Sequence, residues 1–225
     1  MRFDVNKFIS IFSIKVETLS TFINWLRRLW LESYQATVNE RYAKLIATGM
    51  DFTRFAQYSS TFIETGTCRG DSVSAALLSG FTQIKSVELS PTLYEVSKQR
   101  FLNDNRVSLF LGKSADRLPE MIKDIPIPSV FWLDAHPAGP GTAGHEEWLK
   151  RDESVFQDNV LAAELNIILK HGCHIILIDD QQGWKTANKF ASIIESFYPE
   201  RYEFSLEDEI RQVVHKEKVL VCLPV

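Results

Sequence analysis

Asp134, in Phe131-Trp132-Leu133-Asp134-Ala135-His136, and the pair Asp179-Asp180, in Ile176-Leu177-Ile178-Asp179-Asp180, each follow a short apolar run. If the two runs are neighbouring strands, their carboxylates converge, and a hard divalent cation that prefers oxygen ligands relieves the repulsion. Magnesium held by Asp134, Asp179 and Asp180 is the chemistry this pattern points to. The plainer alternative has one or two of these acids capping the next helix or binding an arginine. His136, two residues past Asp134, could serve as general base toward a substrate hydroxyl, as a fourth metal ligand, or as a loop-stabilising hydrogen-bond partner.

A second set of residues has the character of a nucleotide-sized pocket. Phe62-Ile63-Glu64-Thr65-Gly66-Thr67-Cys68-Arg69-Gly70-Asp71-Ser72 is an apolar run that breaks into a glycine-bearing loop just before a helical pattern. Gly66 and Gly70 let backbone approach a ligand, and the amides of a helix N-terminus point at it. Glu88 closes Val87-Glu88-Leu89 about twenty residues beyond the loop, where an acidic side chain can accept hydrogen bonds from both hydroxyls of a ribose. A solvent-exposed strand-end glutamate is the competing reading. Cys68 lies in the same loop with no histidine close in sequence, which makes a nucleophilic thiol the minor option.

These residues act together only if the fold sets them along one edge. From about residue 60, short β-branched runs alternate with longer amphipathic ones, as in βαβ units with a mainly parallel sheet. Strands are expected at Thr61 to Glu64, Ile84 to Leu89, Val107 to Leu111, Val130 to Leu133 and His174 to Ile178. Helices are expected at Ser72 to Leu78, Thr92 to Leu102, Ala115 to Lys123, Glu153 to Leu169 and Thr186 to Phe197. Pro91 suits a first helical turn behind Ser90 as N-cap, and Gly172 marks the end of the long helix. Tyr202 to Leu206, Ile210 to Val214 and Val219 to Leu223 read as strands without an intervening helix, an antiparallel hairpin closing the sheet edge.

The expected fold is therefore α/β: a Rossmann-like three-layer sandwich with a mainly parallel seven-stranded sheet, an antiparallel C-terminal hairpin and an N-terminal helical extension. Residues 1–55 form that extension or cap, with apolar stripes such as Phe22, Ile23, Leu26, Leu29 and Trp30 that pack on the domain; a membrane-surface helix with Trp25, Arg27, Arg28 and Trp30 is the alternative, and these helices are where a homodimer would form. Residues 56–225 form the Rossmann-like domain. In open α/β sheets ligands bind outside the carboxyl ends of the strands, where Glu64, Glu88, Ser114, Asp134 and Asp179-Asp180 all fall. The irregular stretch from Ala135 to about Lys150, with Pro137, Gly139, Pro140, Gly141 and Gly144, reads as a lid or binding loop.

Composition narrows the partners. With 225 residues, 45% of them hydrophobic, the chain can bury one sizeable core. A net charge of -4 supplies no broad basic field, so nucleic acid is not the expected partner and a small molecule is. Three cysteines without a CxxC pair argue against a disulfide framework or structural zinc. No signal-peptide h-region and no membrane-length apolar run are visible, which reads as soluble and cytoplasmic.

Taken together, these motifs resemble class I S-adenosylmethionine-dependent methyltransferases. Glu64 to Gly70 is similar to their first motif and Val87-Glu88-Leu89-Ser90 to their acidic second one. Phe131 to His136 and Ile176 to Asp180 resemble signatures of a bacterial branch related to the macrocin-type sugar O-methyltransferases. The resemblance covers roughly residues 55 to 210. It implies that Gly66, Thr67, Gly70 and Ser72 surround the methionine part of the cofactor, that Glu64 faces its amino group, and that Glu88 holds the ribose. It also implies a metal at Asp134, Asp179 and Asp180, with Asp134 bordering the cofactor as well. After the third strand, relatives often have Gly-Asp-Ser or Gly-Asp-Ala near the adenine; here Gly112-Lys113-Ser114 lacks the acid, leaving Ser114 or Asp116 to stand in. The expected reaction is magnesium-assisted O-methylation of a small-molecule or sugar hydroxyl, with Asp134 and His136 nearest the chemistry. A metal-independent N- or O-methyltransferase and a non-catalytic cofactor-binding module are the alternatives.

Overall fold

A computed structural model describes residues 49–135, 153–208 and 218–225. The described residues run β1 (Thr61–Thr65), α1 (Asp71–Ser79), β2 (Gln83–Glu88), α2 (Pro91–Arg100), β3 (Val107–Leu111), α3 (Ser114–Ile122), β4 (Val130–Leu133), α4 (Glu153–His171), β5 (Ile175–Gln181), α5 (Trp184–Phe197), β6 (Tyr202–Glu207) and β7 (Lys218–Pro224). Each expected strand and helix of the βα region is present within a few residues of its expected bounds. Ser90 is the N-cap of α2, accepting from Leu93 N at 3.4 Å, with Pro91 in the first turn.

The sheet has seven strands in the order β3-β2-β1-β4-β5-β7-β6. Strands β1 to β5 pair in parallel, and the order reverses direction between β1 and β4. That switch point is where an open α/β sheet leaves a crevice at its carboxyl edge. The C-terminal hairpin is antiparallel as expected, but its second strand does not close the edge. β7 lies between β5 and β6 and pairs antiparallel with both. The physical reason is burial: Val219, Leu220, Val221 and Cys222 form a continuous apolar run suited to an interior position, whereas Tyr-Glu-Phe-Ser-Leu-Glu in β6 alternates and suits an edge.

Alternation along the strands builds a core on each face. Ile63, Phe131, Leu133, Ile176 and Ile178 face one way and pack with Leu118 and Met121 of α3, Leu165 and Ile168 of α4, and Phe190 and Ile194 of α5. Phe62, Val130, Trp132, Ile175 and Leu177 face the other way, against Val73, Ala75 and Ala76 of α1. Phe52 and Phe55 join this second core, Phe52 meeting Trp132 edge-on at 5.1 Å between ring centroids. They belong to the compact unit Leu45–Val225. The expected helices before residue 49, His136 with the loop that follows it, and the expected strand at Ile210 to Val214 lie outside the described residues, apart from Ala135. No helix among the described residues is long and apolar enough to cross a membrane.

Candidate functional site

The first loop is folded back over the end of β2. Gly66 N and Thr67 N both donate to Val87 O, at 3.0 and 3.2 Å, and Gly70 N returns to Thr67 O at 2.8 Å. Gly66 has φ 92°, and a Cβ there would stand 2.3 Å from the backbone oxygen of Asp134. Its missing side chain lets the loop after β1 touch the loop after β4, which is how the pocket residues come to lie beside the acids. Gly66→Ala is therefore expected to cost at least about 1–3 kcal/mol, since left-handed strain and a backbone clash add. A melting temperature lower by several degrees checks it; an unchanged one contradicts the close approach.

Glu64 is fully buried, and its two carboxyl oxygens accept from the hydroxyls of Ser72 and Ser86. Burial pushes its carboxyl up to about 8, the two serines oppose that rise, and the charges of Asp134 and Glu88 add to it. Thr67 shares Ser86 through its own hydroxyl. Glu64 and Ser72 thus tie the start of α1 to β1 and β2. Glu88 is also buried, and it is not the solvent-exposed glutamate of the plainer reading. Its Oε2 accepts from Cys68 N at 2.7 Å and its Oε1 from Ser90 N at 2.8 Å. Each oxygen retains a lone pair, so one carboxylate both shapes the loop and can accept from a ligand hydroxyl. Burial and the charge of Glu88 raise the Cys68 thiol, with Arg69 opposing, which argues against a thiolate nucleophile.

Asp134, Asp179 and Asp180 converge as expected: one carboxylate oxygen from each lies within 4.8 Å of the others. How β5 achieves this is not what the sequence implied. The strand does not end before the acids but continues to Gln181, with a shift of register against β7 between Ile178 and Gln181. Asp180 sits in that irregularity with φ 56°, an uncommon conformation for a non-glycine residue. Two successive strand residues ordinarily point to opposite faces; the bulge breaks this alternation and brings both carboxylates toward Asp134. Local strain at such a place is typical of functional sites. An all-oxygen set of three carboxylates this close fits a hard divalent cation.

One residue near the site had no signal in the sequence. Glu164, on α4, is fully buried and accepts from Thr65 Oγ1 at 3.3 Å. Burial pushes its carboxyl up to about 7, Ser114 and Thr65 oppose this, and the charge of Asp134 adds to it. Of the two residues expected to stand in on the adenine side, Ser114 is half-buried and Asp116 is exposed, as is Lys113, which replaces the missing acid.

No family model and no curated protein matches this chain. Solved structures with a similar course of chain include a cofactor-bound protein from MTB, 14% identical over 83% of this chain and 88% of that one, with a TM-score of 0.48. An O-methyltransferase from Bacillus cereus in complex with SAH is 14% identical over 84% and 90%, also at 0.48. An SAH-bound methyltransferase from Podospora anserina is 15% identical over 77% and 76%, at 0.47. At these identities and scores they carry no argument about chemistry, and the functional reading rests on the residues above.

Among the expected site residues, the fold thus joins two groups at the carboxyl edge: Glu64, Gly66, Thr67, Gly70, Ser72 and Glu88 around the first loop, and Asp134, Asp179 and Asp180 across from it. Gly66 against Asp134 is the seam between them.

Proposed function

We propose that this chain is an S-adenosylmethionine-dependent methyltransferase that methylates a hydroxyl oxygen of a small-molecule or sugar acceptor with the help of a divalent cation. The observation that carries this reading is the convergence of three carboxylates within 4.8 Å beside a glycine turn braced by a buried acid. In this reading Gly66, Thr67 and Gly70 admit the methionine part of the cofactor to the backbone, and Glu88 accepts from the ribose while keeping the Cys68 amide in place. Asp134, Asp179 and Asp180 would hold Mg2+, which when bound lowers the pKa of a hydroxyl and orients it. The methyl group passes from the sulfonium sulfur to that oxygen and the hydroxyl proton leaves; His136, two residues after Asp134 in the chain, is the proposed acceptor of the proton. The protein's share is alignment, because the sulfonium is already a good leaving group.

Calorimetric titration with S-adenosylhomocysteine, and turnover of S-adenosylmethionine against a panel of sugar and phenolic hydroxyls with Mg2+ or with EDTA, test the reading. Saturable binding and turnover lost in EDTA are expected. Binding of neither S-adenosylmethionine nor S-adenosylhomocysteine overturns it, and turnover indifferent to EDTA removes the metal from it.

A further inference from the structure

Gln181, the last residue of β5, is buried and bonds back to its own strand. Its Nε2 donates to the backbone oxygen of Asp179, two residues earlier, at 2.7 Å. In a regular strand the side chain stands off the sheet while the carbonyl two residues back lies within it, so this bond belongs to the bulge. The ring it closes runs through Asp180, which has φ 56° at the point where pairing with β7 slips. A carbonyl oxygen can only accept, which fixes the amide nitrogen against Asp179 and turns Oε1 away from it. That oxygen is buried with no hydrogen-bond partner among the described residues.

An apolar side chain of the same size would fill this place without leaving a buried acceptor unmade, so what the amide adds here is its donor and not its packing. That donor secures the backbone on either side of Asp180. A non-glycine residue keeps a positive φ only where its surroundings over-determine it, and the Gln181 bond constrains both peptides that flank Asp180. Asp179 and Asp180 are the two acids that meet Asp134 within 4.8 Å. We infer that Gln181 is a positioning residue for the cation site, its amide clasping the bulge so that the two carboxylates of β5 keep the spacing a small octahedral cation requires. The inference rests on the divalent-cation part of the reading above. It bears on which cation is favoured, because Mg2+ demands near-ideal octahedral geometry at about 2.0–2.1 Å, whereas Ca2+ accepts looser sets at about 2.3–2.6 Å.

The test measures Mg2+ and Ca2+ binding by calorimetry on the full chain, alone and with excess S-adenosylhomocysteine, in wild type and in Gln181→Met, which keeps the volume and removes the donor. Gln181→Met is expected to bind Mg2+ about tenfold or more weaker and Ca2+ within about threefold of wild type, while its melting temperature in EDTA changes little. The ratio of the two affinities is the readout that a merely structural part would not move. Mg2+ affinity unchanged in Gln181→Met overturns the inference. Equal weakening of both cations assigns Gln181 a general structural part in β5 and overturns it too. If Gln181→Met does not fold, Gln181→Asn, one methylene short of the same bond, carries the same expectations. Wild type binding the cations with a ratio that neither variant shifts overturns this inference alone; wild type binding neither cation removes the metal from the proposed function as well.

Discussion

Asp179→Ala is expected to abolish Mg2+-dependent turnover, by on the order of a hundredfold or more, while S-adenosylhomocysteine affinity stays within about threefold of wild type. Glu88→Ala should do the reverse to binding: cofactor affinity falls steeply, since the Cys68 and Ser90 amides lose their acceptor and the loop its shape. The separation has a geometric basis. Asp179 belongs to the bulged end of β5 and Glu88 to the end of β2, with β1 and β4 between those strands in the sheet. A readout without any acceptor is also at hand. Holding three carboxylates within 4.8 Å costs repulsion that a cation offsets, so Mg2+ should raise the wild-type melting temperature. In Asp179→Ala that rise should disappear. Equal loss of cofactor affinity in both variants would contradict the division of roles, and a Mg2+ response that survives Asp179→Ala would remove this residue from the metal set.

The other large effect concerns pH. Glu64 is held at about 8 in the folded protein, whereas an exposed glutamate titrates near 4.5. Its proton is therefore retained by the folded state across the window between those values and released by the unfolded chain. The stability it contributes is fully present below about 4.5 and is lost as pH rises through 8, by several kcal/mol at most on the scale of about 1.4 kcal/mol for each unit of difference. Glu164 acts in the same direction over a narrower window, up to about 7. His174 acts oppositely. Burial, with His171 beside it, brings it down to about 4, so its contribution is present above 6.5 and is lost as pH falls toward 4. Glu64→Gln isolates the first of these, since the variant shares the other two. Urea unfolding in EDTA at pH 5, 6.5 and 8 should show wild type losing ground to Glu64→Gln by a few kcal/mol over that range. Parallel stability curves for the two proteins would mean that Glu64 is ionised in the folded state.

The neutral state of Glu64 also reframes the first motif. Read along the chain, Glu64 and Glu88 are two strand-end acids of one kind. In the fold Glu64 is buried and turned to two serines, whereas Glu88 accepts from two loop amides. The same side chain thus does different work at the ends of adjacent strands, because one end is covered by the start of α1 and the other lies under a bent-back loop.

The order of strands and helices from Thr61 to Phe197, the Ser90-Pro91 helix start and the placing of Glu88, Asp134 and Asp179-Asp180 near strand ends were legible in the sequence. Each depends on residues within a few positions of one another: hydrophobic period, capping side chains and turn-forming glycines act locally. The insertion of β7 between β5 and β6 was half legible, since the unbroken apolar run of β7 marks an interior strand, yet which strands flank it depends on pairings across the sheet. Three features were decided by tertiary structure alone. Asp180 reaches Asp134 through a bulge defined only against β7, Gly66 is required because the backbone of Asp134 crosses it, and Glu164 meets Thr65 across 99 residues of chain. Sequence spacing carries no record of such contacts, nor of the burial that keeps Glu64 and Glu164 protonated above the ordinary carboxylate range, because both arise only when distant segments exclude water together.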